Sequence, residues 1–233
     1  MLKDLPLFVS FFFIAITLVT LVLFIAAVNK NNRRKTVSIV LISILVWLTL
    51  HALLAIQGFY TVTGGFPPRF VLLVFPMFLI ILILFLTRSG RRFIDSLPAG
   101  TLTGLHTVRI FVEIVLFLLC TYKFIPQLMT FEGRNFDIVS GLTAPFIAYF
   151  GFVKHKLGKN LLLVWNFACL LLLLNIVVNA VLSAPFRFQQ FAFDQPNVAV
   201  LYFPFVWLPC FIVPVVLFSH LAVIRKLLKT PAP

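Results

Sequence analysis

Seven long apolar runs, at about 7–28, 37–57, 69–87, 102–124, 138–153, 161–183 and 198–224, make up roughly two thirds of this chain. No connection between them exceeds about 15 residues. A bilayer core about 30 Å thick is crossed by about 20 apolar residues of α-helix, and most of the runs reach that length. The connections leave no room for a soluble domain. The expectation is an all-α polytopic membrane protein of seven transmembrane helices, with residues 1–233 forming a single domain. Composition agrees. The chain is 62% hydrophobic and 11% charged, whereas a soluble domain is about half apolar and about a quarter charged. Phenylalanine, at 29 residues against three Trp and four Tyr, suits lipid-facing and interhelical packing more than an interfacial belt.

The net charge of +13 raises nucleic-acid binding, but its placement excludes it. Lys30, Arg33, Arg34 and Lys35 follow the first run, and Arg88, Arg91 and Arg92 the third. Lys154, Lys156 and Lys159 follow the fifth, and Arg225, Lys226 and Lys229 the seventh. Thirteen of the 19 basic residues therefore fall on one side. The other side holds Lys3, Arg69, Lys123, Arg134 and Arg187, diluted by Asp4, Glu132, Asp137 and Asp194. Basic connections stay in the cytoplasm, so the N-terminus is expected outside and the C-terminus inside, in a plasma (inner) membrane. Anionic lipid headgroups are the expected partners of the basic side. The first run has one Lys ahead of it and four basic residues behind it, the reverse of a signal peptide's charge order, so it reads as a span. Cys120, Cys169 and Cys210 fall within runs, lack CxxC spacing and read as small buried residues.

Runs 1–3 and 5–7 invite comparison as parallel repeats, with the fourth as a linker. The third contains Phe75-Pro76-Met77-Phe78 and the seventh Phe203-Pro204-Phe205; GGFPPRF precedes one and a segment containing APFRF the other. This three-plus-one-plus-three layout resembles the architecture of the SWEET sugar transporters in topology and length. That family's proline-glutamine pair belongs within the repeat helices; here Pro126-Gln127 falls at the outer end of the fourth run. A microbial rhodopsin needs a mid-span Lys in its last helix, and none lies between Val198 and Ile224. Trp207-Leu208-Pro209 resembles the WxP kink of receptor helices.

The fourth run is the most informative. His106, Arg109, Glu113 and Cys120 share one face of a helix. Ionised groups at mid-membrane cost roughly 2.5–3.5 kcal/mol, so they are paired or line a wet cavity. An Arg109–Glu113 pair is expected, with Glu113 as a proton carrier or substrate anchor. Asn175, Asn179 and Ser183 lie on one face of the sixth run, with Asn166 nearly opposite. Pro204, Pro209 and Pro214 recur at five-residue intervals in the seventh and mark a hinge whose freed carbonyls should face the fourth and sixth spans. Gly141, Pro145 and Gly151 interrupt the short fifth run, and interrupted spans point to transporter sites. Glu132, Arg134, Asn135 and Asp137 read as a solvated outer patch, with Asn135 or Asp137 as N-cap. Phe186, Phe188, Phe191 and Phe193 suit either an interfacial loop or a lid.

His106 and His220 both fall toward the cytoplasmic side, but neither HxxxH nor HExxH spacing is present, so no metal or other cofactor is expected. Phosphate loops, GxSxG and paired catalytic carboxylates are also missing, which disfavours an enzyme. The reading is a small-solute transporter, proton-coupled, with a midplane site of His106, Arg109, Glu113, Asn175, Asn179 and Trp207 between the fourth, sixth and seventh helices. The alternatives are a seven-helix sensor and an accessory subunit of a membrane complex.

Overall fold

The computed structural model describes residue 2, residues 4–65 and residues 67–229. Lys3 of the outer charge set and Phe66 of the GGFPPRF segment lie outside the described residues. Among the described residues there are nine α-helices and no strand. Helix α1 (Leu7–Asn29) turns directly into α2 (Arg34–Ile56). Helix α3 (Val71–Leu86) bends by 93° at Thr87 into α4 (Arg88–Ser96). The Thr87 hydroxyl caps α4 by accepting from the Gly90 amide at 3.1 Å. Helices α5 (Ala99–Leu105) and α6 (Val108–Thr121) run on as one stretch. Then come α7 (Ile138–Ile147), which ends in a π-helical turn over Ala148–Val153, and α8 (Lys159–Leu182). A π-helical turn over Leu208–Ile212 leads into α9 (Val213–Lys229).

Among the described residues five stretches are long and apolar enough to cross a membrane: Leu7–Asn29, Arg34–Ile56, Ala99–Thr121, Lys159–Leu182 and Leu208–Lys229. A sixth is added if α3 and its bent partner α4 form one span. Ile138–Val153 is apolar but shorter. At about 1.5 Å per residue it rises only about 24 Å, less than the hydrocarbon core. The chain is therefore an all-helical membrane protein with five to six helices built to span.

The last helical stretch is the axis of the bundle. Of its most apolar window 72% is buried, against 22% for α2. Helix α2 buries only Ile44, Leu48, His51 and Ala55, one stripe at helical spacing, and turns Ile42, Val46 and Leu53 outward. That exposure suits a solvent of acyl chains. Within α2, His51 Nδ1 lies 2.5 Å from the hydroxyl of Tyr60, a fully buried residue of the short turn that follows the helix.

At one end, three of the basic segments meet. Asn31 donates to the Ser96 carbonyl at 2.8 Å and Asn32 to the Ser96 hydroxyl at 2.9 Å. Asp95 on α4 accepts from Arg225 at 3.1 and 3.3 Å and from Lys229 at 2.5 Å. Lys226 Nζ donates to the Asp95 and Leu97 carbonyls. So α4 lies across the end of the bundle, clasped to α9. Partial burial raises the Asp95 carboxyl, but hydrogen bonds and charge from Lys229 and Arg225 outweigh this and leave it below its ordinary value. The fourth basic segment joins this end where α5 packs on the π-helical turn of Ala148–Val153; a Cβ on Gly100 would lie 2.9 Å from Phe152.

The prolines of the seventh run behave differently from one another. Pro204 follows a cis peptide bond in a turn ahead of the helix, Pro209 lies in the π-helical turn, and Pro214 is in the first turn of α9. Pro76 sits inside α3, so the two Phe-Pro segments that suggest a repeat occupy dissimilar structures. Pro214 has no N–H for the carbonyl four residues back, that of Cys210. Trp47 Nε1 on α2 fills the vacancy at 2.9 Å. Trp207 Nε1 reciprocates by donating to the Leu48 carbonyl at 2.9 Å. The freed Cys210 carbonyl thus turns toward α2, not toward the fourth and sixth spans, because an indole donor is available there.

Trp47→Phe should lower stability by about 1–2 kcal/mol, since it orphans the Cys210 carbonyl. Adding Pro214→Ala supplies a backbone N–H to that carbonyl, so the double variant should melt above Trp47→Phe in detergent. Additive losses would contradict this pairing. The Asp95 clasp is fully present above the ordinary carboxylate range and is lost as pH falls through the lowered folded-state value. Asp95→Asn should therefore flatten the loss of thermal stability below about pH 4. An unchanged acid limb would exclude it.

Candidate functional site

The α5–α6 junction is a tightened turn. His106, Thr107, Arg109 and Ile110 donate their amides three residues back instead of four. Beyond it, α6 buries Arg109, Val112, Glu113 and Leu116. Helix α7 approaches this face very closely at Gly141, where a Cβ would come within 2.8 Å of the Ile110 side chain and 2.9 Å of its backbone. That approach brings Asp137, the residue ahead of α7, against Arg109.

Arg109 Nε donates to Asp137 Oδ2 at 2.6 Å, and Nη2 is paired with Oδ1. The two side chains form a buried ion pair anchored by the Nε–Oδ2 hydrogen bond, which is strengthened by the charge on both partners. Arg109 Nη1 donates to His220 Nε2 at 3.0 Å, and Nη2 approaches the Cys169 carbonyl at 3.4 Å. Arginine offers no acceptor, so His220 Nε2 must accept and its proton sits on Nδ1. Nδ1 donates to Asn166 Oδ1 at 3.0 Å, and Asn166 donates in turn to the Leu162 carbonyl at 2.8 Å. His106 stacks on His220 with ring centres 3.7 Å apart and planes 12° apart, and Trp165 borders both rings. Lone pairs of stacked rings lie in parallel planes and do not converge on one ion. Among the described residues no group of three or more His, Cys, Asp or Glu is placed to hold a metal.

Glu113 has a different partner from the one its spacing suggests. Both of its oxygens accept from Asn135 Nδ2, at 2.7 and 2.8 Å. Asn135 Nδ2 also reaches the Met129 carbonyl at 3.0 Å, and Asn135 Oδ1 accepts from the Asp137 amide at 3.0 Å. One amide side chain therefore ties the Glu113 carboxylate to the residue that binds Arg109. The expected direct Arg109–Glu113 pair is replaced by two pairs, because the loop before α7 delivers a nearer carboxylate. The solvated outer patch is corrected likewise. Glu132 and Arg134 are exposed, but Asn135 and Asp137 are buried, and Asp137 makes no side-chain cap.

Beside this network lies a cavity of about 90 Å³. It is bounded by α3, α6, α8 and the π-helical entry to α9, with apolar walls that include Phe70, Val74, Ile176 and Val213. Its polar lining is Arg109, Glu113, Asp137 and Asn197. Asn197 Nδ2 donates to the Ala180 carbonyl at 3.1 Å, while its buried Oδ1 has no partner among the described residues. Of the site and hinge residues expected from sequence, Arg109, Glu113 and Pro209 line the cavity. His106 lies behind Arg109 in the histidine stack, and neither of its ring nitrogens finds a partner among the described residues. Asn175 donates to the Arg134 carbonyl at 2.8 Å, and Asn179 donates to Asn175 at 3.3 Å. Trp207 and Pro214 serve the contact with α2, and Pro204 lies outside the lining. The Phe-rich loop folds back over this end: Phe186 is buried against Phe70, whereas Phe193 is exposed.

Residues 66–228 match the family described as a domain of unknown function (DUF8737). The chain belongs to that family. No curated protein and no solved structure matches it. The match takes in every residue of the cavity and of the polar network behind it, while α1 and α2 precede it.

Asp137→Leu strands the Arg109 charge and should cost about 3–5 kcal/mol. The double variant Arg109→Leu/Asp137→Leu should recover much of that loss. In thermal unfolding, the Arg109–Asp137 coupling should exceed the Arg109–Glu113 coupling measured by the same cycle. The reverse order would assign the pair to Glu113.

Proposed function

We propose that this chain is a carrier of a small solute, coupled to protons, that binds its solute between α6, α8 and α9. In this reading seven helices span the plasma membrane, with α7 and its π-helical turn as the short fifth span, the N-terminus outside and the C-terminus inside. The observation that carries the reading is the cavity bounded by Arg109, Glu113 and Asp137 inside a bundle of apolar helices. Charged groups at that depth are costly and are kept where a pathway needs them. The discontinuous backbone around the cavity supports it too. The π-helical entry to α9 and the tightened α5–α6 junction both border the network, and broken helices at mid-membrane are a common way to build a transporter site.

The two carboxylates divide the work. Asp137 is committed to Arg109 and fixes the network. Among the described residues Glu113 hydrogen-bonds only to Asn135, a neutral partner, so it is the carboxylate assigned to exchange a proton. A protonated Glu113 carries a hydroxyl donor that opposes the Asn135 NH₂ and breaks one of its two bonds. Release of Asn135 loosens its grip on the Asp137 amide at the start of α7. Proton occupancy at Glu113 is thereby linked to the position of α7.

The orientation rests on the thirteen basic residues on one side against five on the other. Cysteine substituted at Asn31 and at Lys156 should react only with reagents that reach the cytoplasm; labelling of both from outside overturns the topology. In proteoliposomes, an imposed proton gradient should drive solute accumulation that Glu113→Gln abolishes while the variant stays folded. Gradient-independent behaviour of wild type and variant alike would remove the proton from the account.

A further inference from the structure

The cavity has a bias in its unused hydrogen-bonding capacity. Arg109 spends its donors on Asp137, His220 and the Cys169 carbonyl. Beyond one N–H on Nη1, what remains are acceptors: Glu113, whose two oxygens share a single donor nitrogen, and Asn197 Oδ1, which is buried and has no partner among the described residues. Two carboxylates against one guanidinium line the space, so an incoming group that donates hydrogen bonds and carries positive charge complements it.

The cavity also borders an apolar groove on the outside of the bundle. Helix α3 packs on α4, α9 and the π-helical turn, and α8 packs on α9, so the cavity occupies the seam between α3 and α8. Phe78 on α3 borders both the cavity and a shallow groove that runs between α3 and α9 past Phe75, Leu82, Leu217 and Leu221. In a membrane-spanning chain, Phe75 at 60% and Leu82 at 53% exposure face acyl chains. A ligand entering past Phe78 comes from the bilayer and leaves its hydrocarbon portion in that groove.

We infer that the site takes an amphipathic primary amine, whose ammonium sits between Glu113 and Asn197 and whose alkyl chain lies under Phe78 along α3. This names the substrate class of the proposed carrier and rests on its cavity, though binding does not require transport. An ammonium supplies three N–H donors to two acceptors, and the chain replaces lipid contacts with protein contacts.

The test is saturable binding of radiolabelled octylamine to the full chain in lipid nanodiscs, with protein-free discs as the partition blank. Wild type should bind, and Glu113→Gln should weaken binding about tenfold or more. Asn197→Ala should weaken it severalfold. Octyltrimethylammonium has no N–H, and 1-octanol has no charge; both should compete at least about tenfold less well. Should Glu113→Gln fail to fold, Val177→Trp, which fills the cavity from α8, should exclude octylamine instead. Retained binding in a folded Glu113→Gln or Val177→Trp variant, equal competition by either analogue, or no saturable binding at all overturns the assignment. Amine flux into proteoliposomes is measured separately. Binding without flux overturns transport and leaves this site standing, while flux of a polar solute without amine binding does the opposite.

Discussion

The Arg109–Asp137 ion pair is the interaction on which the rest of the interior depends. A guanidinium cannot be neutralised by losing its proton, so a buried arginine obliges the fold to bring it a carboxylate. The chain does so by folding the loop before α7 into the bundle, against a helix that meets it at glycine. That inward loop carries Asn135 with it, and Asn135 in turn holds Glu113. On the other side, the arginine fixes the tautomer of His220, which fixes Asn166 on α8. Four helices and one loop are thus registered by a single cation. Buried pairs of this kind contribute little net stability relative to apolar packing, whereas removing one partner is costly because it strands the other's charge.

The second organising feature is the π-helical entry to α9. Pro214 removes a backbone donor where the helix is most buried, and the cost is offset by an indole from α2. The reciprocal bond from Trp207 makes α2, an otherwise peripheral helix, a brace for the entry. The cavity lies on the opposite flank of the same turn, at Leu208, Pro209 and Ile212. Its shape is set from behind by α2 and from in front by the Arg109 network.

The apolar runs made most of the helices legible, because hydropathy over about 20 residues depends on composition alone. They did not reveal the turn at Thr87, where a threonine cap starts an amphipathic helix within a continuing basic segment. They also merged residues 198–207 with the helix that begins at Leu208, since apolar turns packed inside protein look like span. Arg109 and Glu113 stood out as charges on an apolar face. Their partners did not, because Asn135 and Asp137 sit beside exposed Glu132 and Arg134 in a short polar loop. Only the alternation of exposed Arg134 and Phe136 with buried Asn135 and Asp137 marks that loop as turned inward. Of the asparagines on α8, it is Asn166, facing away from Asn175 and Asn179, that binds the network. Helical phase shows where a residue points, but not which neighbour lies there.

The central claim is that Arg109 is paired with a carboxylate from outside its own helix. Solid-state NMR in lipid bilayers can read this directly, by dipolar recoupling between the guanidinium nitrogens of Arg109 and selectively labelled carboxyl carbons. The account predicts strong dephasing to Asp137 Cγ, as expected for an ion pair within about 4 Å, and weak dephasing to Glu113 Cδ. Strong dephasing to Glu113 with none to Asp137 would contradict it.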